Sequence, residues 1–176
     1  MMRKAASALL IAIVWAGTAQ AAELRLLVKG VRSDLGELLI GLYASPEGFA
    51  GAIAHATTDG LAPDRGRLIG MAIRASAGEQ SAAFSDLPPG RYAVIVVHDE
   101  NDDGRLDANA LGVPTEGYAF SNDARGFLSA PSFAAAAVTV GEGDACITLS
   151  LIYPAPVSDE ELSDFNSFIG SASAQP

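Results

Sequence analysis

Apolar and polar residues alternate along much of the chain, and the alternation predicts extended segments. In residues 23–31 (ELRLLVKGV), Leu24, Leu26 and Val28 fall on one face and Arg25, Leu27 and Lys29 on the other, the period of a half-buried strand. Residues 36–44 (GELLIGLYA) follow after RSDLG, a link that suits a hairpin. Residues 67–75 (RLIGMAIRA) and 79–87 (EQSAAFSDL) flank a turn at Gly78. Residues 90–99 (GRYAVIVVHD) are apolar on both faces, which predicts a central strand of a sheet covered on both sides. Residues 133–140 and 144–153, joined by GEGD, complete the set, with Ile147, Leu149, Leu151 and Tyr153 on one face. Seven short strands punctuated by Gly, Pro, Asn and Asp predict an all-β fold, a two-sheet antiparallel β-sandwich of immunoglobulin- or prealbumin-like type. FAAAA at 133–137 holds good helix formers, so this strand is the weakest of the set. A short helix is expected around residues 49–55.

Both ends break the pattern. MMRK, a run of apolar residues (AASALLIAIVWA) and GTAQA follow the order of a secretory signal peptide over residues 1–21, with cleavage after Ala21. The run is shorter than the roughly 20 residues that span a bilayer, and no cysteine near the cleavage point invites acylation. The chain is thus expected to be exported to the periplasm or the medium, without membrane insertion after cleavage. Residues 22–153 form the expected sandwich domain. In 154–176, PAPV cannot continue a sheet, and SDEELSDFNSFIG offers a short helix with Ser158 as N-cap and Glu161 completing a capping box. SASAQP reads as a flexible tail.

Loss of Arg3 and Lys4 leaves nine Lys and Arg against 21 Asp and Glu, a net charge of −12. Such a surface repels phosphate backbones and excludes nucleic acid as a partner, while favouring cations. The one cysteine, Cys146, excludes an internal disulfide and is expected to pack as a small structural residue in its strand.

The charge is concentrated in HDENDDGRLD, residues 98–107. Asp99, Asn101, Asp103, Gly104 and Asp107 have the spacing of a calcium loop of the D-x-D/N-x-D/N-G type. Oxygens from alternate residues converge on one Ca²⁺ only if the backbone turns sharply, and Gly104 permits that turn. In this scheme Asp99, Asn101 and Asp103 offer side-chain oxygens, Arg105 its carbonyl, and Asp107 a direct or water-mediated contact, with Leu106 anchoring the loop to the core. The twelfth position, bidentate Glu in the helix–loop–helix version, is Ala110, so the last ligand is expected from Glu116, with Asp123 as a rival. The competing reading is a solvated Asx-rich turn.

A Ser-His-Asp set could be drawn from Ser121, His98 and Asp99, but AFSND is no nucleophile elbow. His55 and His98 alone supply a zinc site poorly. His98 is expected to hold the acidic loop by bonding to backbone; a hydrolase-like or lyase-like role with Asp99 or Glu116 is the enzymatic alternative. Downstream, GVPTEGYAFSN places Gly112, Pro114 and Gly117 as loop supports. Tyr118 and Phe120 either plug the sandwich end or, with Ser121 and Asn122, form a patch for a cell-envelope sugar or peptide.

The stretch PPGRYAVIVVHDENDDGRLDANALGVPTEGYAFSNDARG, followed by APSFAAAAV, resembles the exported bacterial family known as domain of unknown function 2141. The shared motif is H-D-x-N-x-N/D-G-x-L-D followed by G-x-P-x-E-G-Y/F-x-F-S-N, and the likeness extends over about residues 24–153. Members often carry Lys where this chain has Thr115. The resemblance implies an exported β-sandwich and no particular activity. The loop is also similar to the calcium loops of Gram-positive surface-protein B repeats, an analogy of one loop. The expected role is a Ca²⁺-stabilised binding or structural module of the cell envelope.

Overall fold

The computed structural model describes residues 22–61, 69–126 and 129–154; the expected signal peptide and C-terminal helix lie outside them. Strands β1 (Ala22–Val31), β4 (Gly78–Leu87) and β8 (Ala145–Ser150) form one sheet in the order β4-β1-β8. Strands β2 (Glu37–Tyr43), β3 (Ile69–Arg74), β5 (Gly90–Asp99) and β6 (Gly117–Phe120) form the other in the order β3-β2-β5-β6, and β7 (Val138–Val140) joins the start of β5. The expected all-β sandwich is therefore observed, with eight strands.

Burial explains how the strands sort. β1, β4 and β8 alternate buried with exposed positions, as befits a sheet wetted on one side. β2 and β5 are buried on nearly every residue and lie in the sheet covered on both sides. Consequently β1 and β2 do not form the expected hairpin: that link crosses between the sheets, as does the one from β3 to β4. β1 pairs with β8 in parallel, so the sandwich is not wholly antiparallel. Residues 133–140 split into helix α2 (Phe133–Ala136), capped by Ser132, and β7, because alanine favours the helix until β-branched Val138. Cys146 is exposed, contrary to its expected packing role: with Ile147 and Leu149 turned inward, the pleat sends Cys146 outward.

The first core fills the space between the sheets, around Leu24, Leu26, Val28, Leu38, Ile40, Val94, Val96 and Leu149. A second core lies on the far face of the β2-β5 sheet, where Tyr43, Ile95, Val97 and Phe120 are covered by helix α1 (Pro46–His55), Leu61, Leu106 and Ala136. α1 starts where Ser45 accepts the Gly48 N–H at 3.1 Å with Pro46 in the first turn. It buries Phe49 and Ala52 against the sheet. Phe49 meets Tyr43, Phe120 and Phe133 edge-on at 5.8–6.1 Å between centroids.

Candidate functional site

The acidic loop leaves β5 at Asp99 and returns to β6 at Gly117. Asp99 is buried, and its carboxylate accepts the Asp103 N–H at 3.1 Å and the Gly104 N–H at 2.6 Å. Asn101 Oδ1 accepts the Asp103 N–H at 3.1 Å, and Asp103 Oδ1 accepts the Arg105 N–H at 2.9 Å. Asn101 Nδ2 donates to Asp107 at 3.0 Å. Gly104 takes the positive φ, +81°, that the spacing anticipates. Leu106 is buried in the second core while its N–H reaches the Ala56 carbonyl at 2.9 Å.

Period-2 geometry sorts the charges. Glu100 turns to Arg32, whose Nε lies 3.0 and 3.1 Å from its two oxygens and whose Nη2 completes the fork, while Ser33 donates to it at 2.7 Å. Asp102 turns to Arg74 at 3.1 Å. Asp99, Asn101, Asp103 and Asp107, the residues with ligand spacing, hold no guanidinium and bond within the loop. Among the described residues, no three His, Cys, Asp or Glu side chains stand close enough together to hold a metal ion.

Glu116 is buried and clasps the two ends of the loop: it accepts the Glu100 N–H at 2.7 Å and the Asp107 N–H at 3.0 Å. Burial pushes its carboxyl above the ordinary range, the two amide bonds oppose that, and Asp107 and Asp99 add repulsion. Asp123 instead accepts the Ser150 N–H at 2.8 Å, which ties it to β8. Between 107 and 115 the loop is a small hairpin, with Ala108 bridged to Pro114 and Asn109 Oδ1 accepting the Leu111 and Val113 N–H groups at 3.0 Å.

His98 is fully buried. Nε2 lies 2.9 Å from the Leu35 carbonyl, which can only accept, so Nε2 carries the proton. Nδ1 then accepts from the Tyr153 hydroxyl at 2.6 Å, which itself accepts the Arg32 N–H at 3.2 Å. The Arg32 guanidinium lies over the Tyr153 ring at 4.4 Å. With both nitrogens engaged and no exposed edge, His98 offers nothing to a substrate. Its backbone partner lies in the β1–β2 link rather than in the acidic loop. Ser121 is far along β5: its hydroxyl, also buried, bonds the Val94 N–H at 2.8 Å and the Ala136 carbonyl at 2.6 Å. No Ser-His-Asp geometry is assembled.

Arg32, Tyr153 and Glu100 thus join the β1–β2 link, the acidic loop and the end of the chain's last described segment. The guanidinium bonds hold the Glu100 carboxyl below the ordinary glutamate value of 4.5, against the opposing effect of burial. A depressed folded value contributes stability that is present above about 4.5 and lost as pH falls through the lower, folded value. Glu100→Gln should therefore flatten the acid limb of the melting temperature relative to the parent chain. Parallel acid limbs in the two proteins would refute the coupling.

The ligand patch expected from sequence divides in two. Ser121 and Asn122 are structural, Asn122 Nδ2 donating to the Ala135 and Ala137 carbonyls at 3.2 and 3.1 Å. Tyr118 and Phe120, 5.8 Å apart between centroids, face outward from β6 and line a cleft of about 630 Å³. Ile95 and Val97 are also part of it; Ile53, Ala56, Leu61 and Leu106 wall one side, Gly112, Val113 and Pro114 another, and residues 124–126 and 129–131 a third. Arg125 is the one charged side chain among the described lining residues. The expected loop supports Gly112 and Pro114 are thus cleft wall. Gly117 lies beneath the Tyr153 ring, where a Cβ would fall 2.3 Å from a ring carbon.

Arg32 and Tyr153, and Gly36 and Gly60, where a Cβ would fall 1.8 Å from the Asp99 and Gly104 carbonyl oxygens, escape sequence reasoning because their partners lie far away in the chain. The cleft has no motif, since the outer face of β5 and β6 is as apolar as the inner one. A family model described as "Uncharacterized protein conserved in bacteria (DUF2141)" matches residues 26–148. Comparison with curated proteins and with solved structures finds no match.

Proposed function

The chain belongs to the DUF2141 family of bacterial proteins, and from that premise we propose that it is an exported β-sandwich that binds an apolar ligand at the cell envelope, with a calcium-stiffened loop beside its binding cleft. The observation that carries this reading is the cleft. Its volume lies in the range of roughly 300–1,000 Å³ that holds small ligands, and Tyr118 and Phe120 give it an aromatic wall. The mostly apolar lining disfavours a sugar, whose hydroxyls would lose water without replacement bonds. Export rests on the signal-peptide order of residues 1–21, which fits the periplasm or the medium alike.

Calcium is the ion the loop suits. Asp99, Asn101, Asp103, Asp107, the Arg105 carbonyl and Glu116 are the groups that would hold it; they are hard oxygen donors, and carboxylate oxygens that accept one N–H retain a second lone pair. A cation would relieve both the repulsion among these residues and the cost of burying Glu116. Because the side chains must draw together, affinity in the range of about 10⁻⁴–10⁻³ M typical of extracellular modules is expected. Bound ion adds to folding stability by linkage.

One set of samples tests both halves. Nile red, an uncharged apolar dye, should saturate at one site per chain, and Ala130→Trp at the exposed cleft wall should remove the site without lowering the melting temperature. Millimolar Ca²⁺ should raise the melting temperature by a few degrees over chelator, and Asp103→Asn with Asp107→Asn should cancel the rise. No saturable dye binding overturns the cleft, and superimposable melting curves overturn the ion.

A further inference from the structure

We infer that the ligand of this cleft is a single-chain amphiphile with an anionic head, an acyl tail lying against β5 and β6 and its carboxylate or phosphate held by Arg125; this rests on the cleft being a binding site. A single positive charge stands against an otherwise uncharged, mostly apolar wall of described residues. Arg25, Arg32, Arg74 and Lys29 each hold a carboxylate, whereas Arg91, Arg105 and Arg125 pair with none among the described residues, and of these three only Arg125 lines the cleft. It is exposed yet lines the cleft, which puts it at the mouth. The floor beneath is Ile95, Val97 and Phe120, suited to methylene groups and to no polar moiety. Beside Arg125, Ser129 is exposed on the same wall; its hydroxyl donates to the Ala130 carbonyl at a long 3.4 Å, and would have to leave that bond to serve a head-group oxygen.

The chain as a whole makes this assignment a demanding one. With a net charge of −10, non-specific attraction favours cationic amphiphiles over anionic ones. A preference for the anion can come only from a local cation, and a guanidinium fits carboxylate and phosphate in a planar two-bond geometry.

The test is calorimetric titration of the purified chain with laurate, lauryl phosphate, n-dodecanol and dodecyltrimethylammonium, each below its micellar concentration. Laurate and lauryl phosphate are expected to bind one per chain and at least about tenfold more tightly than dodecanol, as a charged hydrogen-bonded pair allows. Whichever of the two binds more tightly names the head group. Arg125→Glu should remove that advantage while leaving dodecanol and the melting temperature within error, and Ala130→Trp should abolish all binding. Equal affinity for dodecanol and laurate, unaffected by Arg125→Glu, overturns the anionic head and leaves an apolar site. Binding of Nile red without any amphiphile likewise overturns this inference alone, whereas binding of neither removes the cleft reading too. Laurate binding only after deletion of residues 155–176 would assign the cleft to the chain's own C-terminal segment and overturn the inference.

Discussion

Glu116→Ala is expected to lower the unfolding free energy by about 2–4 kcal/mol, because it orphans two part-buried backbone donors at about 1–3 kcal/mol each. Those donors, the N–H groups of Glu100 and Asp107, are the first and last amides of the acidic turn, and among the described residues no other side chain reaches them. The desolvation that pushes this carboxyl upward offsets part of the bond energy at neutral pH, which draws the upper end down from about 6 to about 4 kcal/mol. Glu116→Gln should cost nearly as much as a single lost bond, about 1–3 kcal/mol. A glutamine oxygen satisfies one amide, but its NH₂ then faces the other donor. Urea unfolding gives the loss, and hydrogen exchange locates it: the two amides should lose protection while β1 and β4 keep theirs. Unchanged protection in Glu116→Ala would show that the clasp does not hold the loop.

The clasp also separates what could be read from sequence and what could not. The spacing of Asp99, Asn101, Asp103 and Gly104 reports a turn whose oxygens alternate, and the turn is there, with Gly104 at positive φ. Glu116 is legible as the nearest carboxylate able to fold back; its observed partners are the Glu100 and Asp107 amides, which spacing does not announce. What spacing cannot report is that Arg32 and Arg74 would draw Glu100 and Asp102 outward, since the two arginines arrive from the β1–β2 link and from β3.

The same limit governs the fold. Alternation in β1 and continuous burial in β5 follow from each segment's own residues, so the strands and their class are visible locally. Burial on both faces puts β2 and β5 side by side inside one sheet, whereas β3, which alternates exposed and half-buried positions, lies at that sheet's edge beside β2, a place its own residues do not announce. A short link such as RSDLG suits a crossing between sheets as well as a hairpin, and only the burial of β2 on both faces decides between them. His98 shows the effect at a single residue. Its place at the end of an apolar strand suits a catalytic base or a structural post equally, and the Tyr153 hydroxyl, 55 positions away, makes it the post.

Gly60→Ala should be at least as damaging as loss of the clasp, with an expected cost of about 3 kcal/mol or more. Gly60 is buried at the exit of α1 with φ +65°, and a Cβ there would lie 1.8 Å from the Gly104 carbonyl oxygen. The left-handed conformation alone costs a non-glycine residue about 1–2 kcal/mol, and relieving the collision requires the acidic turn to move off the helix, adding about 1–3 kcal/mol of overpacking. That movement would break the Leu106 N–H bond to Ala56 and draw Leu106 away from Leu61. Since Leu61 and Leu106 both line the cleft, the variant should lose Nile red binding as well as stability. Gly78→Ala is the control: its φ is +101°, but no atom lies within 4 Å of the added carbon. It carries the conformational cost without the collision, so the difference between the two variants in urea isolates the contact between the helix exit and the acidic turn. If both cost the same, the backbone of the loop does not rest on Gly60, and the coupling between acidic loop and cleft falls with it.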